Sequence, residues 1–169
     1  FIPTADSCGL INTLSINLFD KALAEFKEIK QTTNQDLTLS INLSPKQLGD
    51  LSSIAQIDEL FEKHSIDSQD IIIEVTEEDT LKAANQLETL NRLKMNGYGV
   101  ALDDFGTGFT NLNQLKTLPL TEVKIDRSII SNINNDPFSQ IVTNTLIELS
   151  AELNLQLTTE GIENINELK

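Results

Sequence analysis

Basic residues are scarce in this sequence. Twelve Lys and Arg stand against 26 Asp and Glu over 169 residues, which gives a formal net charge of −14. Binding of a nucleic-acid polymer or of an anionic membrane through a general surface needs a basic patch, so this balance argues against both partners. A small phosphate-bearing substrate stays compatible with the charge if metal ions bridge the phosphate to carboxylates.

Cysteine and long apolar runs are also nearly absent. Cys8 is the single cysteine, so no intramolecular disulfide can form, which suits a reducing compartment. No stretch approaches the ~20 consecutive apolar residues of a membrane span, and no secretory signal is visible. We therefore expect a cytoplasmic segment without membrane contact, a location that also fits the cytoplasmic part of a membrane-anchored protein.

Five short segments have the apolar, β-branched or alternating pattern of strands. Longer segments with apolar residues at helical spacing separate them, and no hairpin signal joins any two. This alternation predicts βαβ units, and therefore an α/β fold with a parallel sheet and covering helices. The predicted strands are residues 37–42, 71–74, 98–102, 120–125 and 155–159.

Polar side chains stand at the predicted carboxyl end of every one of these strands. In parallel α/β folds the carboxyl ends of the strands build the active site. Five successive strands would therefore bring a constellation of polar groups to one face. These candidate residues are Asn42, Glu74, Asp103, Asp104, Lys124, Asp126 and Glu160.

The chemistry of this set indicates a metal site. The adjacent carboxylates of Asp103 and Asp104 are costly at a buried strand end unless a cation neutralises them. Ligands that are all oxygen favour Mg²⁺, Mn²⁺ or Ca²⁺ over zinc. Several carboxylates can hold two ions ~3.5–4 Å apart, and Lys124 can orient water or neutralise charge on a phosphate. The residues therefore predict metal-assisted hydrolysis of a phosphoester.

Each of these features taken alone has a simpler interpretation. The Asp103-Asp104 pair is more often a turn at a strand end. The run Gly106–Gly108 is usually a tight turn. Lys124 is more often a surface charge, and Asp126 and Arg127 can simply pair with each other locally.

Six short motifs in a fixed order cover nearly the whole chain, and their order decides between these interpretations. They are Phe1–Asp6, Ile41–Ser44, Ile73–Glu77, Asp103–Gly108, Lys124–Arg127 and Glu160–Glu163. This set resembles that of the EAL domains, bacterial phosphodiesterases that open cyclic di-GMP to linear pGpG. The resemblance implies a modified TIM (βα)8-type barrel and a single domain over residues 1–169.

The resemblance also implies a role for each residue that matches a family motif. Two Mg²⁺ or Mn²⁺ ions would be held by Asn42, Glu74, Asp103 and Asp104. Lys124 and Glu160 would be the catalytic residues that hold or activate the nucleophilic water.

Further implied roles concern regulation. Glu77 would anchor the loop after the Asp-Asp strand, and that loop, with Gly106, Thr107 and Gly108, couples metal binding to dimerisation. Asp126 and Glu163 are additional candidates for the site. The implied partners are cyclic di-GMP, a second copy in a homodimer through the barrel, and sensor or GGDEF domains in a longer protein.

Two family motifs are expected outside this chain. The Glu-Ala-Leu motif would lie upstream of Phe1, and a Gln-Gly pair would lie downstream of Lys169. Because TIM barrels typically need ~250 residues, we expect a fragment with an incomplete barrel. For the 169-residue chain by itself we expect weak or no hydrolysis.

Two other functions remain open at the level of sequence. One is a catalytically inactive EAL domain that acts as a cyclic di-GMP receptor or as a protein-interaction scaffold. The other is an unrelated metal-dependent barrel enzyme, such as an enolase-type lyase, which the order of the motifs makes remote.

Overall fold

The computed structural model describes residues 2–33, 35–76, 84–107, 112–131 and 133–163. Strands and helices alternate along them, as predicted. The strands are β1 (Leu39–Asn42), β2 (Ile71–Thr76), β3 (Gly99–Phe105), β4 (Glu122–Ile125) and β5 (Gln156–Thr159). The helices are α1 (Ile2–Ser7), α2 (Ile11–Thr33), α3 (Pro45–Leu48), α4 (Leu51–His64), α5 (Ala84–Met95), α6 (Leu112–Thr117), α7 (Arg127–Ile130) and α8 (Pro137–Leu153).

The strands form one parallel sheet in the order β1-β2-β3-β4-β5. The predicted parallel α/β architecture is therefore confirmed. Within the described residues β1 and β5 are the two edges, so the sheet is an open arc. In the same part of the chain, no helix combines the length and the apolarity needed to cross a bilayer.

The two faces of the sheet differ sharply in polarity. Alternate strand residues point to the helices and are fully buried, because a strand turns successive side chains to opposite sides. Leu90 and Leu93 of α5 and Ile54 and Ile57 of α4 lie in the same apolar core. The strand residues of this core include Ile71, Ile73, Val100, Leu102, Val123 and Ile125.

The opposite face carries polar side chains in register. Asn42 pairs with Glu74, Glu74 with Ala101, and Ala101 with Glu122. Lys124 lies two residues beyond Glu122 and is paired with Thr158 of β5. Because the strands are parallel, this polar face collects the carboxyl-terminal side chains of neighbouring strands at one end.

The end of β3 differs from the prediction. We expected the strand to stop at Leu102, but it continues through the Asp103-Asp104 pair to Phe105. The register with β4 shifts between Leu102 and Phe105, and Asp104 adopts a left-handed φ of 55°. This irregularity is a β-bulge, which bends the strand and redirects its side chains, and Asp tolerates the left-handed conformation better than most residues.

Candidate functional site

Lys124 lies at the centre of a group of carboxylates. Its ammonium nitrogen is 3.0 Å from Oε1 of Glu74, 3.5 Å from Oδ1 of Asp103 and 2.5 Å from Oε1 of Glu160. These three acidic residues come from β2, from β3 and from the residue after β5. The structure therefore brings together four of the predicted site residues, three from strands and one from the residue that follows a fourth strand.

Burial and charge act in opposite directions on Lys124, whose side chain is only 15% exposed. Burial alone would lower its pKa, but hydrogen bonds to Glu160 and Glu74, with the charges of Glu74 and Asp103, raise the pKa above the ordinary lysine value. The ammonium is therefore charged at neutral pH. It fixes the three carboxylates relative to one another.

The bulge separates the two aspartates. Asp103 is half-buried and faces Lys124, and its Oδ1 also accepts a hydrogen bond from the Asp104 backbone N–H at 3.0 Å. Asp104 is exposed beside it. Partial burial and the charges of Asp103, Asp126 and Glu160 raise the pKa of Asp104. A cation bound here would relieve that repulsion.

Asn42 ends β1 in register with Glu74, and its side chain is exposed at the rim of the polar face. Backbone pairing thus places its amide next to the Glu74 carboxylate along the sheet. Asn42 therefore lies at the carboxyl end of its strand, as the sequence predicted.

Asp126 begins α7 as its N-terminal cap. Its Oδ1 accepts a hydrogen bond from the Ser128 backbone N–H at 2.8 Å. The Ser128 side chain and backbone N–H lower the pKa of Asp126. This cap accounts for the residue structurally, and the assignment of Asp126 to the site stays a prediction.

Arg127 makes a contact that the sequence did not reveal. Its guanidinium forms two hydrogen bonds with the Glu163 carboxylate, at 2.5 Å and 2.9 Å. The Arg127 guanidinium therefore pairs with Glu163, and the local pair of Asp126 with Arg127 that the sequence suggested is not formed. Two glutamates spaced three residues apart after β5 were the only signal in the sequence, and nothing there indicated which cation they meet.

The loop after β3 is described only in part. Gly106 and Thr107 follow the bulge, and the Thr107 hydroxyl donates to the Asp104 carbonyl oxygen at 2.9 Å. Glu77 and Gly108 lie outside the described residues, so their predicted roles in loop anchoring stay predictions.

A second polar contact lies deeper on the same face. The Thr158 hydroxyl donates to Oε1 of Glu122 at 2.5 Å, and Glu122 is buried. Sequence reasoning missed this pair because Glu122 lies at the start of a strand rather than at its end.

The donor set suits a hard divalent cation. Carboxylate oxygens of Glu74, Asp103 and Asp104 and the amide of Asn42 are the ligand types that Mg²⁺ and Mn²⁺ prefer. The carboxylates of Glu74, Asp103 and Glu160 also outnumber the positive charge of Lys124, which all three contact. Among the residues that the structure describes, however, the carboxylates of Glu74, Asp103 and Glu160 turn toward the Lys124 ammonium, and no group of three acidic, His or Cys side chains is arranged to hold a metal ion.

Comparison with protein families gives one match, the EAL domain, over residues 1–169. Among curated proteins, the chain is 31% identical over 164 residues to the bifunctional diguanylate cyclase/cyclic di-GMP phosphodiesterase MucR of Pseudomonas aeruginosa. It is 30% identical over 164 residues to the cyclic di-GMP phosphodiesterase RocR of the same organism. Each match covers 96% of this chain but only 24% of MucR and 42% of RocR, so the chain spans less than half of these relatives.

Solved structures give the same result for the fold. The PaMucR phosphodiesterase in its c-di-GMP complex superimposes with a TM-score of 0.90 at 30% identity, over 99% of this chain and 68% of that one. The Klebsiella pneumoniae BlrP1 manganese/cy-diGMP complex gives a TM-score of 0.81 over 94% of this chain and 40% of that one, at 21% identity that shows the fold alone. EAL structures have a TIM-barrel-like fold, so the five-stranded arc corresponds to part of such a barrel.

Proposed function

The chain belongs to the EAL domain family, and from this premise we propose that it carries out metal-dependent hydrolysis of cyclic di-GMP to linear pGpG within a longer signalling protein. The observation that carries this proposal is the meeting of Glu74, Asp103 and Glu160 around Lys124 at the carboxyl ends of parallel strands. MucR and RocR, both named as cyclic di-GMP phosphodiesterases, support the choice of substrate.

We assign the activation of the attacking water to Lys124 and Glu160. The Glu160 carboxylate is 43% exposed, so it can accept a proton from a water molecule that enters from solvent. The oxygen of that water forms a bond to phosphorus while the bond from phosphorus to the ribose 3′-oxygen breaks. The leaving oxygen takes up a proton from solvent, and Glu160 afterwards releases to solvent the proton that it accepted. Lys124 holds Glu160 in place and neutralises charge that develops on the phosphate.

Asn42, Glu74, Asp103 and Asp104 would hold the metal ions, which we propose to be two Mg²⁺ or Mn²⁺. When bound, such ions supply positive charge that lowers the pKa of the attacking water. Removing them with a chelator should abolish turnover, and adding back Mn²⁺ or Mg²⁺ should restore it. Restoration by Ca²⁺ alone would contradict this choice of metals.

The variant Asp103→Asn tests the proposed reaction. It keeps the size of the side chain but removes the charge that faces Lys124, so release of pGpG from cyclic di-GMP by the protein that carries this chain should be lost. Asp36→Asn is the matched control, because Asp36 is an exposed aspartate in the loop before β1. Undiminished turnover by Asp103→Asn would rule out the mechanism.

A second candidate is a receptor or scaffold that binds cyclic di-GMP without cleaving it. The observation in its favour is that, in the described part of the chain, the carboxylates face the Lys124 ammonium rather than one common metal position. Calorimetry that detects cyclic di-GMP binding, together with no pGpG by chromatography in the presence of Mn²⁺, would establish this alternative.

We also propose that the domain assembles as a homodimer. Support comes from large apolar side chains left exposed on α8, where Phe138 is 70% and Ile141 is 66% exposed. Sedimentation analysis should give twice the chain mass for the wild type. A variant with Phe138→Ser and Ile141→Ser should sediment as a monomer, whereas an unchanged dimer would exclude this face.

A further inference from the structure

Helix α7 contacts two glycine turns at once. A Cβ built on Gly161 would lie 2.7 Å from both Cβ and Cγ of Arg127 at the start of the helix. A Cβ built on Gly106 would overlap Cδ1 of Ile129 and lie 3.0 Å from its Cγ1. Both glycines have positive φ, 72° at Gly161 and 108° at Gly106. Each turn therefore needs glycine both for its backbone conformation and for the close approach of α7.

These two turns adjoin three acidic residues of the site, which are Asp103, Asp104 and Glu160. Gly161 directly follows Glu160, which contacts Lys124. Gly106 lies two residues after Asp104, in the turn closed by the hydrogen bond from the Thr107 N–H to the Asp104 carbonyl oxygen at 3.2 Å. One short helix thus lies between the turn that holds the Asp-Asp pair and the turn that holds Glu160.

The segment from Glu160 to Glu163 is fastened at both ends by the chain around α7. The Glu160 backbone N–H donates to the Ile125 carbonyl oxygen at 3.0 Å. At the other end, Arg127 binds the Glu163 carboxylate with both guanidinium nitrogens, while the Arg127 stem covers Gly161. These contacts leave the Glu160 backbone little freedom to move away from Lys124.

The turn after β3 is also held by α7 and by the residue before it. The Asp126 backbone N–H donates to the Phe105 carbonyl oxygen at 3.1 Å, and the Ile129 side chain fills the space over Gly106. Ile129 is partly buried against the main core, so α7 is itself fixed to the body of the fold.

We propose that α7 (Arg127–Ile130) is a positioning helix for the site. Arg127 sets Glu160 against Lys124, and Ile129 sets the turn that follows the Asp103-Asp104 pair. The inference rests on the proposed function for its catalytic consequence, whereas the placement of the two turns can be tested without substrate or metal. Arg127 and Ile129 are positioning residues, because they act through Glu160 and Asp104 rather than on the reacting atoms.

The contact of Arg127 with Glu163 fixes the orientation of the segment around Glu160 more than it stabilises the fold. The Arg127 and Glu163 side chains are 55% and 61% exposed, so their ion pair contributes little to the free energy of unfolding. The planar guanidinium nevertheless fixes direction in a way that a lysine ammonium does not. Small displacements of a catalytic group lower the rate steeply, so the effect should fall on kcat rather than on folding.

The first test compares Arg127→Ala, Arg127→Lys and Glu163→Gln with Arg92→Ala. Arg92 is the other arginine of the chain; it is 52% exposed and lies 3.7 Å from Asp58, which makes it a matched control. The readout is the NMR signal of the Lys124 side-chain ammonium in metal-free protein, assigned by its absence in Lys124→Met. Arg127→Ala and Glu163→Gln should shift or broaden it, Arg127→Lys should do so less, and Arg92→Ala should leave it unchanged.

Turnover of cyclic di-GMP by the longer protein that carries this chain gives the catalytic readout of the same variants. Arg127→Ala should lower kcat by roughly tenfold or more while KM changes little. The double variant Arg127→Ala with Glu163→Gln should lose no more than the single variants, because the two residues form one contact. An Arg127→Ala variant with wild-type ammonium signal and wild-type kcat would overturn the role of Arg127.

The second test concerns Ile129 and uses Ile147→Ala as control, because Ile147 is 51% exposed on α8. Ile129→Ala should shift the backbone amide signals of Asp104 and Gly106 and leave the Lys124 ammonium signal in place. Ile129→Val should restore most of the wild-type amide shifts. Unchanged amide signals in Ile129→Ala would overturn the proposal. It would also be overturned if Arg127→Ala and Ile129→Ala each disturbed both turns equally, because α7 would then not make two separate contacts.

If neither the wild type nor any variant hydrolyses cyclic di-GMP, the proposed function fails. The NMR signals, which need no substrate, still decide the role of α7.

Discussion

Lys124 carries a positive charge into a group of carboxylates that would otherwise repel one another. Glu74 and Asp103, with side chains 7% and 16% exposed, both lie within ion-pair distance of its ammonium. Buried carboxylates without a partner cost far more free energy than the pair returns when it is intact. The lysine is therefore structural as well as catalytic in the proposed reaction.

Replacing Lys124 by Met tests this structural role. Because the substitution leaves two buried carboxylates without a cation, the metal-free variant should lose about 3 kcal/mol of unfolding free energy at neutral pH. The pKa of Lys124 is raised, so the wild type holds this stabilisation fully at neutral pH and loses it only in strongly alkaline solution. Urea denaturation measures the difference, with Lys116→Met on the exposed side of α6 as control. A loss no larger than that of the control would contradict the assignment.

The pKa of the Tyr98 phenol can be measured directly, because Tyr98 is a single chromophore. It is the only tyrosine of the sequence, and there is no tryptophan. Burial, followed by the nearby charge and hydrogen bond of Asp58, raises the pKa of Tyr98 from 10.0 to about 12. Titration of the phenolate absorbance should therefore give a midpoint near 12, and Asp58→Asn should move it part of the way back to 10.0.

The same shift makes stability fall in alkaline solution. Between pH 10.0 and about 12 the unfolded chain has released the Tyr98 proton while the folded protein still holds it. The contribution of Tyr98 to the free energy of unfolding is thus complete below pH 10.0 and declines as pH rises toward 12. The difference in stability between the wild type and Tyr98→Phe should show this decline, and a difference that is constant with pH would contradict it.

The sequence predicted that Glu74, Asp103, Lys124 and Glu160 lie at one end of the sheet, but not the local geometry of the Asp-Asp pair. Strand ends that face the same way follow from parallel pairing, so the approach of Glu74 and Lys124 could be expected. The bulge at Asp104 could not, because it depends on the register of β3 with β4, a non-local property that neither aspartate encodes alone. The same limit hid the pairing of Arg127 with Glu163, which are 36 residues apart.

At the scale of the element, α7 depends on its cap. Asp126→Ala removes the acceptor for the Ser128 N–H and should cost about 1 kcal/mol of stability, whereas Asp126→Asn keeps a capping oxygen and should cost less. The pKa of Asp126 is lowered, so the contribution of its charge is present above pH 3.8 and is lost as pH falls through the lowered value.

Turnover by these two variants separates the cap from a role in the site. If Asp126 only caps α7, Asp126→Asn should keep wild-type kcat and Asp126→Ala should lose part of it through the displaced helix. Loss of activity in Asp126→Asn at wild-type stability would instead place the Asp126 charge in the chemistry.

The strands were predictable as elements because their apolar, β-branched or alternating residues differ from the helical spacing of apolar residues in the segments around them. The runs Ile71–Ile73 and Val123–Ile125 are dominated by β-branched residues, which favour buried strands. Strand bounds differed by one to three residues, most at β3, where the acidic pair looked like the end of the strand. Side-chain polarity marks the end of a strand only when the polar residue also leaves the sheet, and Asp103 does not.

At the scale of the whole molecule, the net charge of −14 is the dominant electrostatic property. Repulsion among surface carboxylates destabilises the folded state, and salt screens it over about 8–10 Å near physiological ionic strength. The midpoint of thermal unfolding should therefore rise by about 2–4 °C, corresponding to about 1 kcal/mol, between about 0.02 and 0.2 M NaCl.

The control for this effect is an uncharged osmolyte at equal osmolarity, which should raise the midpoint less. A midpoint that falls over the same range of NaCl would mean that ion pairs, such as those of Lys124 with its carboxylates and of Lys63 with Asp20 at 2.7 Å, outweigh the general repulsion.

The order of the strands has a consequence for how the chain acquires its structure. Each strand of the sheet pairs with the strand that precedes it in the sequence, so no pairing has to wait for a distant segment. A nascent chain leaving the ribosome can therefore add one strand and one helix at a time to a growing edge. Of the carboxylates that contact Lys124, Glu160 after β5 is the last to be synthesised.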